Sequence, residues 1–100
     1  MSTEQSYVGR ENYASPAQQP WSSHTYRTQI YLLVAAIARL SEEPESQIWK
    51  RLYEKLEAFY GIYLPGIPRR KNESLLRVAE RHDVIDKVYL VAQAEKLSLQ

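Results

Sequence analysis

The chain has 100 residues, of which 44% are hydrophobic and 25% charged, and its formal net charge is +1. This length allows one domain at most, and the composition is that of ordinary globular proteins. The absence of cysteine excludes disulfides, thiolate catalysis and zinc held by cysteine, and it favours a cytoplasmic location. No basic start precedes an apolar run, and the longest apolar run has nine residues, whereas a membrane helix needs about 20. We therefore expect neither a secretory signal nor a membrane span.

Residues 1–21 are predicted to form a disordered tail, and residues 22–100 a helical domain. The tail is made of Ser, Gln, Glu, Pro and single tyrosines without a period. Such a segment buries too little apolar surface to offset the entropy of ordering it. The remaining domain is so small that one core supplies only a few kcal/mol of stability. A protein partner or a homo-oligomer is therefore expected.

The first predicted helix begins at Ser22, whose hydroxyl is suited to cap it, and ends near Ser41. Trp21 and Tyr26 have the spacing of a hydrophobic staple. Apolar residues recur along the helix with helical spacing at Tyr26, Ile30, Leu33, Ile37 and Leu40. The positions between them are also largely apolar, which predicts a helix buried centrally or by a partner.

The second predicted helix starts with Pro44 at its first position and ends before Gly61, a natural residue for the left-handed conformation. Its apolar face consists of Ile48, Trp49, Leu52, Tyr53, Leu56, Phe59 and Tyr60, and charged residues occupy the other face. The apolar segment after it, which contains Ile62, Tyr63, Leu64 and Ile67, is expected to pack over the core.

The second half continues with a type II turn predicted at Pro65-Gly66. A third helix is expected with Asn72 as its cap, and a fourth with Asp83 as its cap and Asp86 near the positive end of its dipole. The predicted fold class is all-α, a small bundle of three to four helices behind a disordered N-terminal tail.

Catalytic chemistry finds little support in the sequence. The two histidines, His24 and His82, are far apart and lack partners at metal-ligand spacing, and His82 beside Asp83 is more typical of a solvated turn than of a base with its orienting group. The three glycines are isolated, so no phosphate-binding loop is present. We predict no enzyme, no cofactor and no metal.

The centre of the sequence is moderately basic. Residues 49–81 contain eight basic and four acidic side chains, a net charge of +4. Six of these basic residues are candidate nucleic-acid contacts: Lys50, Arg51, Lys55, Arg69, Arg70 and Lys71. The alternative for the triplet at 69–71 is a solvated loop without a partner. Tyr53, Tyr60 and Tyr63 are either aromatic side chains on which bases stack or residues of the core. Their helical spacing favours the core.

The stretch from Gln29 to Ile62 resembles the helical C-terminal domain of phage antirepressors, which also occurs in other phage and plasmid regulators. The residues that carry the resemblance are Ile30, Val34, Ile37, Trp49, Leu52, Tyr53, Leu56, Phe59, Gly61 and Ile62. The resemblance implies a helical module in regulation and assigns no binding residues. Our first hypothesis is a small, non-enzymatic interaction module, and the alternative is a protein that binds nucleic acid directly through the basic patch at residues 50–71.

Overall fold

The computed structural model describes residues 21–100. They form four α-helices, α1 (Ser23–Ser41), α2 (Glu45–Tyr60), α3 (Leu75–Arg81) and α4 (Ile85–Ser98), and a 3₁₀ turn at Leu64–Gly66. The predicted all-α class is confirmed. The predicted disordered tail lies outside the described residues except for Trp21. None of the helices within 21–100 combines the length and the apolar character needed to cross a membrane.

The start of α1 is fixed by the capping interactions that the sequence predicts. The hydroxyl of Ser22 accepts a hydrogen bond from the backbone N–H of Thr25 at 3.2 Å. The rings of Trp21 and Tyr26 lie 5.4 Å apart, as expected of a hydrophobic staple. The Trp21 ring also packs edge-on against Tyr89 of α4 at 5.1 Å, so this cap ties the first helix to the last.

The first and last helices run side by side in the same direction, and α2 runs antiparallel to both. The start of α1 contacts the first half of α4 through Tyr26 and Tyr89, whose rings are 5.6 Å apart. Arg51 in the first half of α2 contacts Glu95, near the end of α4. The core between the helices is formed by fully buried aliphatic side chains: Ile30, Val34, Ile37, Ile48, Leu52, Leu56, Leu64, Val78 and Val88. The predicted burial of Phe59 is wrong, because that side chain at the end of α2 faces away from this core.

The segment after α2 packs over the core largely as predicted. Gly61 adopts the left-handed conformation, with φ of 69°, and Leu64 is completely buried, whereas Tyr63 stays exposed.

The predicted type II turn is wrong, because Gly66 lacks the positive φ that such a turn requires. Two successive hydrogen bonds, from Gly66 N–H to the Tyr63 carbonyl and from Ile67 N–H to that of Leu64, form the 3₁₀ turn instead. A Cβ at Gly66 would lie 2.8 Å from the Tyr63 ring, so a larger residue here would require that exposed ring to move aside.

The predicted cap of α3 is two residues away from the observed one. Asn72 adopts a left-handed conformation, with φ of 60°, in the turn that precedes the helix. Asparagine tolerates this conformation better than most residues because its short polar side chain bonds locally. Ser74 is the actual cap, and its hydroxyl accepts a hydrogen bond from the N–H of Arg77 at 3.2 Å. At α2 the correction is smaller, since Pro44 is the cap and Glu45 the first helical residue.

Asp83 ends α3 and does not cap α4. Its φ is 58°, and the N–H of Val84 donates to the carbonyl of Ala79 at 2.8 Å while the N–H of Asp83 donates to that of Glu80. These two hydrogen bonds form a Schellman closure with Asp83 in the left-handed position. Val84 then precedes α4 without a capping side chain, and Asp86 lies in the first turn as predicted.

Candidate functional site

The six candidate cationic residues fall into two groups with different surroundings. Arg51 and Lys55 on α2 are engaged by carboxylates. Arg51 bonds both oxygens of Glu43 at 2.8 Å and one oxygen of Glu95 at 3.1 Å, and Lys55 bonds the other oxygen of Glu95. Lys50, on the same helix, is exposed. Two of the six positive charges are therefore used inside the protein.

Glu95 is the centre of this ion-pair network. Its side chain is 6% exposed, and it joins α4 to α2. Burial raises the pKa of Glu95, but the hydrogen bond and charge of Lys55, followed by those of Arg51, outweigh burial and hold the pKa below its ordinary value. The hydrogen bonds from Arg51 are the main reason that the pKa of Glu43 is lowered. The network thus keeps two carboxylates charged and links the ends of α1 and α4 through α2.

The triplet Arg69, Arg70 and Lys71 lies on an exposed turn. Within residues 21–100, no carboxylate forms an ion pair with these three side chains. The carboxylate of the nearby Glu73 instead accepts hydrogen bonds from Nε and Nη2 of Arg81 and from the backbone N–H of Arg70. The hydrogen bond from Arg81 is the main reason that the pKa of Glu73 falls to about 2. The triplet therefore presents its charge to solvent, as the sequence indicated.

An aromatic cluster lies near one end of the triplet. Trp49 stacks on Tyr53 with ring centroids 5.9 Å apart, and Tyr31 of α1 meets Trp49 edge-on at 5.6 Å. Burial, followed by the nearby Tyr31, raises the pKa of Tyr53, while the positive charge of Arg69 acts in the opposite direction. Arg69 is thus within electrostatic reach of this cluster. Tyr53 is partly buried, as its helical spacing favours, whereas Tyr60 and Tyr63 are exposed.

Each histidine lies beside an arginine in the described part of the chain. The His24 ring bonds the guanidinium of Arg27 at 3.0 Å, and the His82 ring lies 3.2 Å from that of Arg81. Both histidines are exposed. No group of three or more potential metal-ligating side chains forms among residues 21–100.

The outer face of α4 carries a stripe that the sequence reasoning missed. Leu90, Gln93, Ala94 and Leu97 are all exposed and uncharged, and their spacing places them along one side of the helix. Leu90 and Leu97 are 48% and 61% exposed. The opposite face of this helix contributes Ile85, Val88, Val91 and Ala92 to the core. The available signal was the lack of charge at positions 90, 93, 94 and 97, because a solvent-facing stripe usually carries charged residues.

The α4 stripe borders a groove between α2 and α4. The groove has a volume of about 260 Å³, and its apolar walls include Phe59, Tyr60, Leu90 and Ala94, with the Lys55–Glu95 pair at one side. Phe59 is 72% exposed at its rim. Stripe and groove together form an exposed, mostly apolar surface. Comparison with protein-family models, curated proteins and solved structures gives no match for this chain.

Proposed function

We propose that this protein is a small, non-enzymatic helical interaction module with a regulatory role, which binds a protein partner or a copy of itself in the cytoplasm. The observation that carries the proposal is the exposed apolar surface formed by the α4 stripe and Phe59. Exposing these side chains to water is unfavourable, and burying them against another protein recovers that free energy. The resemblance of residues 29–62 to phage antirepressor domains supports regulation on a phage or plasmid.

Recovery of partners from the source cells tests this proposal. The full chain is tagged, its lysate is treated with nuclease, and bound proteins are quantified for the wild type and for Leu90→Glu/Leu97→Glu. Ser46→Glu/Gln47→Glu is the matched control, because it adds the same charge at exposed polar positions of α2. We expect a partner, or a second copy of the chain, that is lost only with the α4 variant. A protein that binds neither other proteins nor itself would contradict the proposal.

A second candidate function is direct binding of nucleic acid. The supporting observation is the solvent-facing triplet Arg69, Arg70 and Lys71, with Lys50 as a further exposed cation. The half-exposed ring of Tyr31, at the edge of the aromatic cluster, adds one surface for stacking with a base. Arg51 and Lys55 would have to leave Glu43 and Glu95 to contribute, so the triplet is the stronger part of this site.

Salt-dependent titration tests the nucleic-acid candidate. Duplex and single-stranded DNA are titrated at two salt concentrations with the wild type and with the triple alanine variant at residues 69–71. Phosphate contacts carry no base information, so the variant should bind unrelated sequences more weakly and show a shallower salt slope. A control that also removes three positive charges, Arg39→Ala/Arg77→Ala/Lys96→Ala, should bind like the wild type. Absence of wild-type binding at low salt would eliminate this candidate.

A further inference from the structure

One arginine side chain closes both ends of the basic turn, which comprises residues 68–73 and carries the triplet at 69–71. Nη2 of Arg81 donates a hydrogen bond to the carbonyl of Pro68, the first residue of the turn, at 3.0 Å. Nη2 and Nε of Arg81 also donate to the two carboxylate oxygens of Glu73, the last residue of the turn, at 2.8 and 2.9 Å. Because Arg81 is the last residue of α3, these hydrogen bonds fasten the turn to that helix.

Glu73 also fixes the backbone within the basic turn. Its carboxylate accepts a hydrogen bond from the N–H of Arg70 at 2.9 Å, and its own N–H donates to the Arg70 carbonyl at 3.1 Å. Asn72, between these two residues, has the left-handed conformation, which asparagine tolerates. The side chain of Glu73 is only 10% exposed, so water competes little for its hydrogen bonds. The backbone of the turn is thus set by contacts within the protein.

We propose that Glu73 and Arg81 are positioning residues, which hold the basic turn in the conformation that binds the phosphates of a nucleic acid. This inference rests on the second candidate function and adds two residues to its site. Ordering a free loop on binding costs conformational entropy, and this cost lowers affinity. A turn that is already ordered leaves only the side chains of Arg69, Arg70 and Lys71 to be ordered by the ligand. Glu73 therefore favours the binding of an anion although its own charge is negative.

The charge of Glu73 does not cancel the charge of the triplet. Both carboxylate oxygens lie against the guanidinium of Arg81, so these two residues are neutral as a pair. Within residues 21–100 no ion pair engages the triplet, and its three positive charges remain available to phosphates. Charge alone and positioning thus predict opposite effects of removing the Glu73 carboxylate. Charge alone predicts stronger binding of nucleic acid, and positioning predicts weaker binding.

Titration of duplex DNA with Glu73→Gln and Arg81→Lys separates the two effects. Glutamine removes the negative charge and one of the two acceptors for Arg81. Lysine keeps the positive charge but lacks the planar fork that reaches Glu73 and Pro68 together. We expect each variant of the full chain to raise the dissociation constant about 3- to 10-fold at low salt, because the turn must then be ordered on binding. The salt slope should stay that of the wild type, since no phosphate contact is removed.

Matched controls make the same substitutions elsewhere. Glu54 and Arg39 are exposed and have no ion pair among residues 21–100, so Glu54→Gln and Arg39→Lys should bind duplex DNA at least as tightly as the wild type. Amide exchange reports the turn itself, and the N–H of Arg70 should exchange about tenfold faster in the two test variants than in the controls. Circular dichroism should show equal helical content in every protein. Arg81→Lys carries the test if Glu73→Gln does not fold.

Three outcomes would overturn the proposal. If Glu73→Gln and Arg81→Lys bind DNA as tightly as the wild type or more tightly, the triplet acts through its charge alone, and the nucleic-acid candidate still stands. A shallower salt slope in Arg81→Lys would mean that Arg81 contacts phosphate itself and does not merely position the turn. Absence of wild-type binding at low salt would remove the nucleic-acid candidate and this inference with it, even where slow exchange of the Arg70 N–H confirms that the turn is fixed.

Discussion

The helices α2 and α4 pack against each other, yet their outer faces differ in character. Outside its buried residues Ile48, Leu52 and Leu56, α2 presents Lys50, Glu54 and Glu57 to solvent, and its exposed aromatic residues are confined to the last turn. Outside its buried residues, α4 presents the uncharged stripe of Leu90, Gln93, Ala94 and Leu97. The first pattern is that of a helix with one partner layer. The second has one apolar face for the core and another that the core does not use.

The difference shows that the apolar content of a helix does not by itself report its burial in a monomer. Both helices contain leucines, but Leu52 and Leu56 of α2 are about 1% exposed whereas Leu97 of α4 is 61% exposed. Side chains of the first kind stabilise the fold, and those of the second kind remain available for association. Separate measurements of folding and of association distinguish the two roles.

Leucine-to-alanine substitutions test this comparison most directly. Leu52→Ala and Leu56→Ala should each lower the free energy of unfolding by about 2–5 kcal/mol, because each removes buried methyl groups and leaves a cavity. Leu90→Ala and Leu97→Ala should change it by less than about 0.5 kcal/mol in dilute protein, where the chain is monomeric. Urea denaturation of the four variants provides the measurement.

Lys50→Ala and Glu54→Ala serve as surface controls on α2 and should also stay within about 0.5 kcal/mol. Equal destabilisation by the α2 leucines and by these controls would mean that the phase of α2 is wrong. A large effect of Leu97→Ala in dilute protein would show that the α4 stripe belongs to the core.

Removal of Glu95 tests the polar link between the two helices. Glu95→Ala leaves Arg51 with Glu43 alone and Lys55 without its partner, but both cations remain accessible to water, so we expect a loss of about 1 kcal/mol. Glu95→Gln should cost less, because its amide oxygen still accepts a hydrogen bond. Urea denaturation at neutral pH measures both. If Glu95→Ala were neutral, packing alone would hold α2 and α4 together.

The Glu73–Arg81 pair provides a comparison outside α2 and α4, through its dependence on pH. The pKa of Glu73 is about 2 in the folded protein and about 4.3 in an unfolded chain. A lowered folded pKa contributes stability above the unfolded pKa, and this stability is lost as the pH falls toward the folded value. Glu73→Gln should therefore be less stable than the wild type at pH 7, with a difference that shrinks between about pH 4.3 and 2.

Urea midpoints at neutral pH and at several acidic pH values would follow this difference. Glu54→Gln is the matched control, because Glu54 is exposed and has no ion pair among the described residues. Its difference from the wild type should stay small throughout. A Glu73→Gln difference that persisted unchanged at the lowest pH would show that the charge of Glu73 is not what stabilises this turn.

Asp83→Gly tests the smallest effect, at the junction that orients α4. Glycine adopts the left-handed conformation without the steric cost that Asp83 bears, so the variant should be more stable by about 0.5–1 kcal/mol. If Asp83 instead capped α4, the same change would cost a few tenths of a kcal/mol. Asp86→Gly, inside the first turn of α4, should be destabilising by about 1 kcal/mol. Thermal unfolding of the two variants distinguishes these cases.

The elements that the sequence predicted well are those in which local signals agree. Ser22, Trp21 and Tyr26 specify the start of α1 together, and Gly61 specifies the end of α2.

Prediction failed where one residue type suits two roles. Asp83 has the chemistry of a helix cap, but the hydrogen bonds of Val84 and Asp83 to the end of α3 decide its conformation. The partners of Arg51 and Lys55 were also beyond prediction, because Glu95 is 40 or more positions away in the sequence.

The parallel pairing of the first and last helices has a consequence for synthesis on the ribosome. Among the four helices, the apolar face of α1 emerges before the others, whereas the helix that covers it most extensively, α4, is made after the other three. Ile30, Val34 and Ile37 therefore stay without their main neighbour until Ser98 has left the exit tunnel. A nascent chain stalled before α4 should accordingly be recognised by chaperones and proteases that bind exposed apolar segments, and release of the last helix should end that vulnerability in one cooperative step.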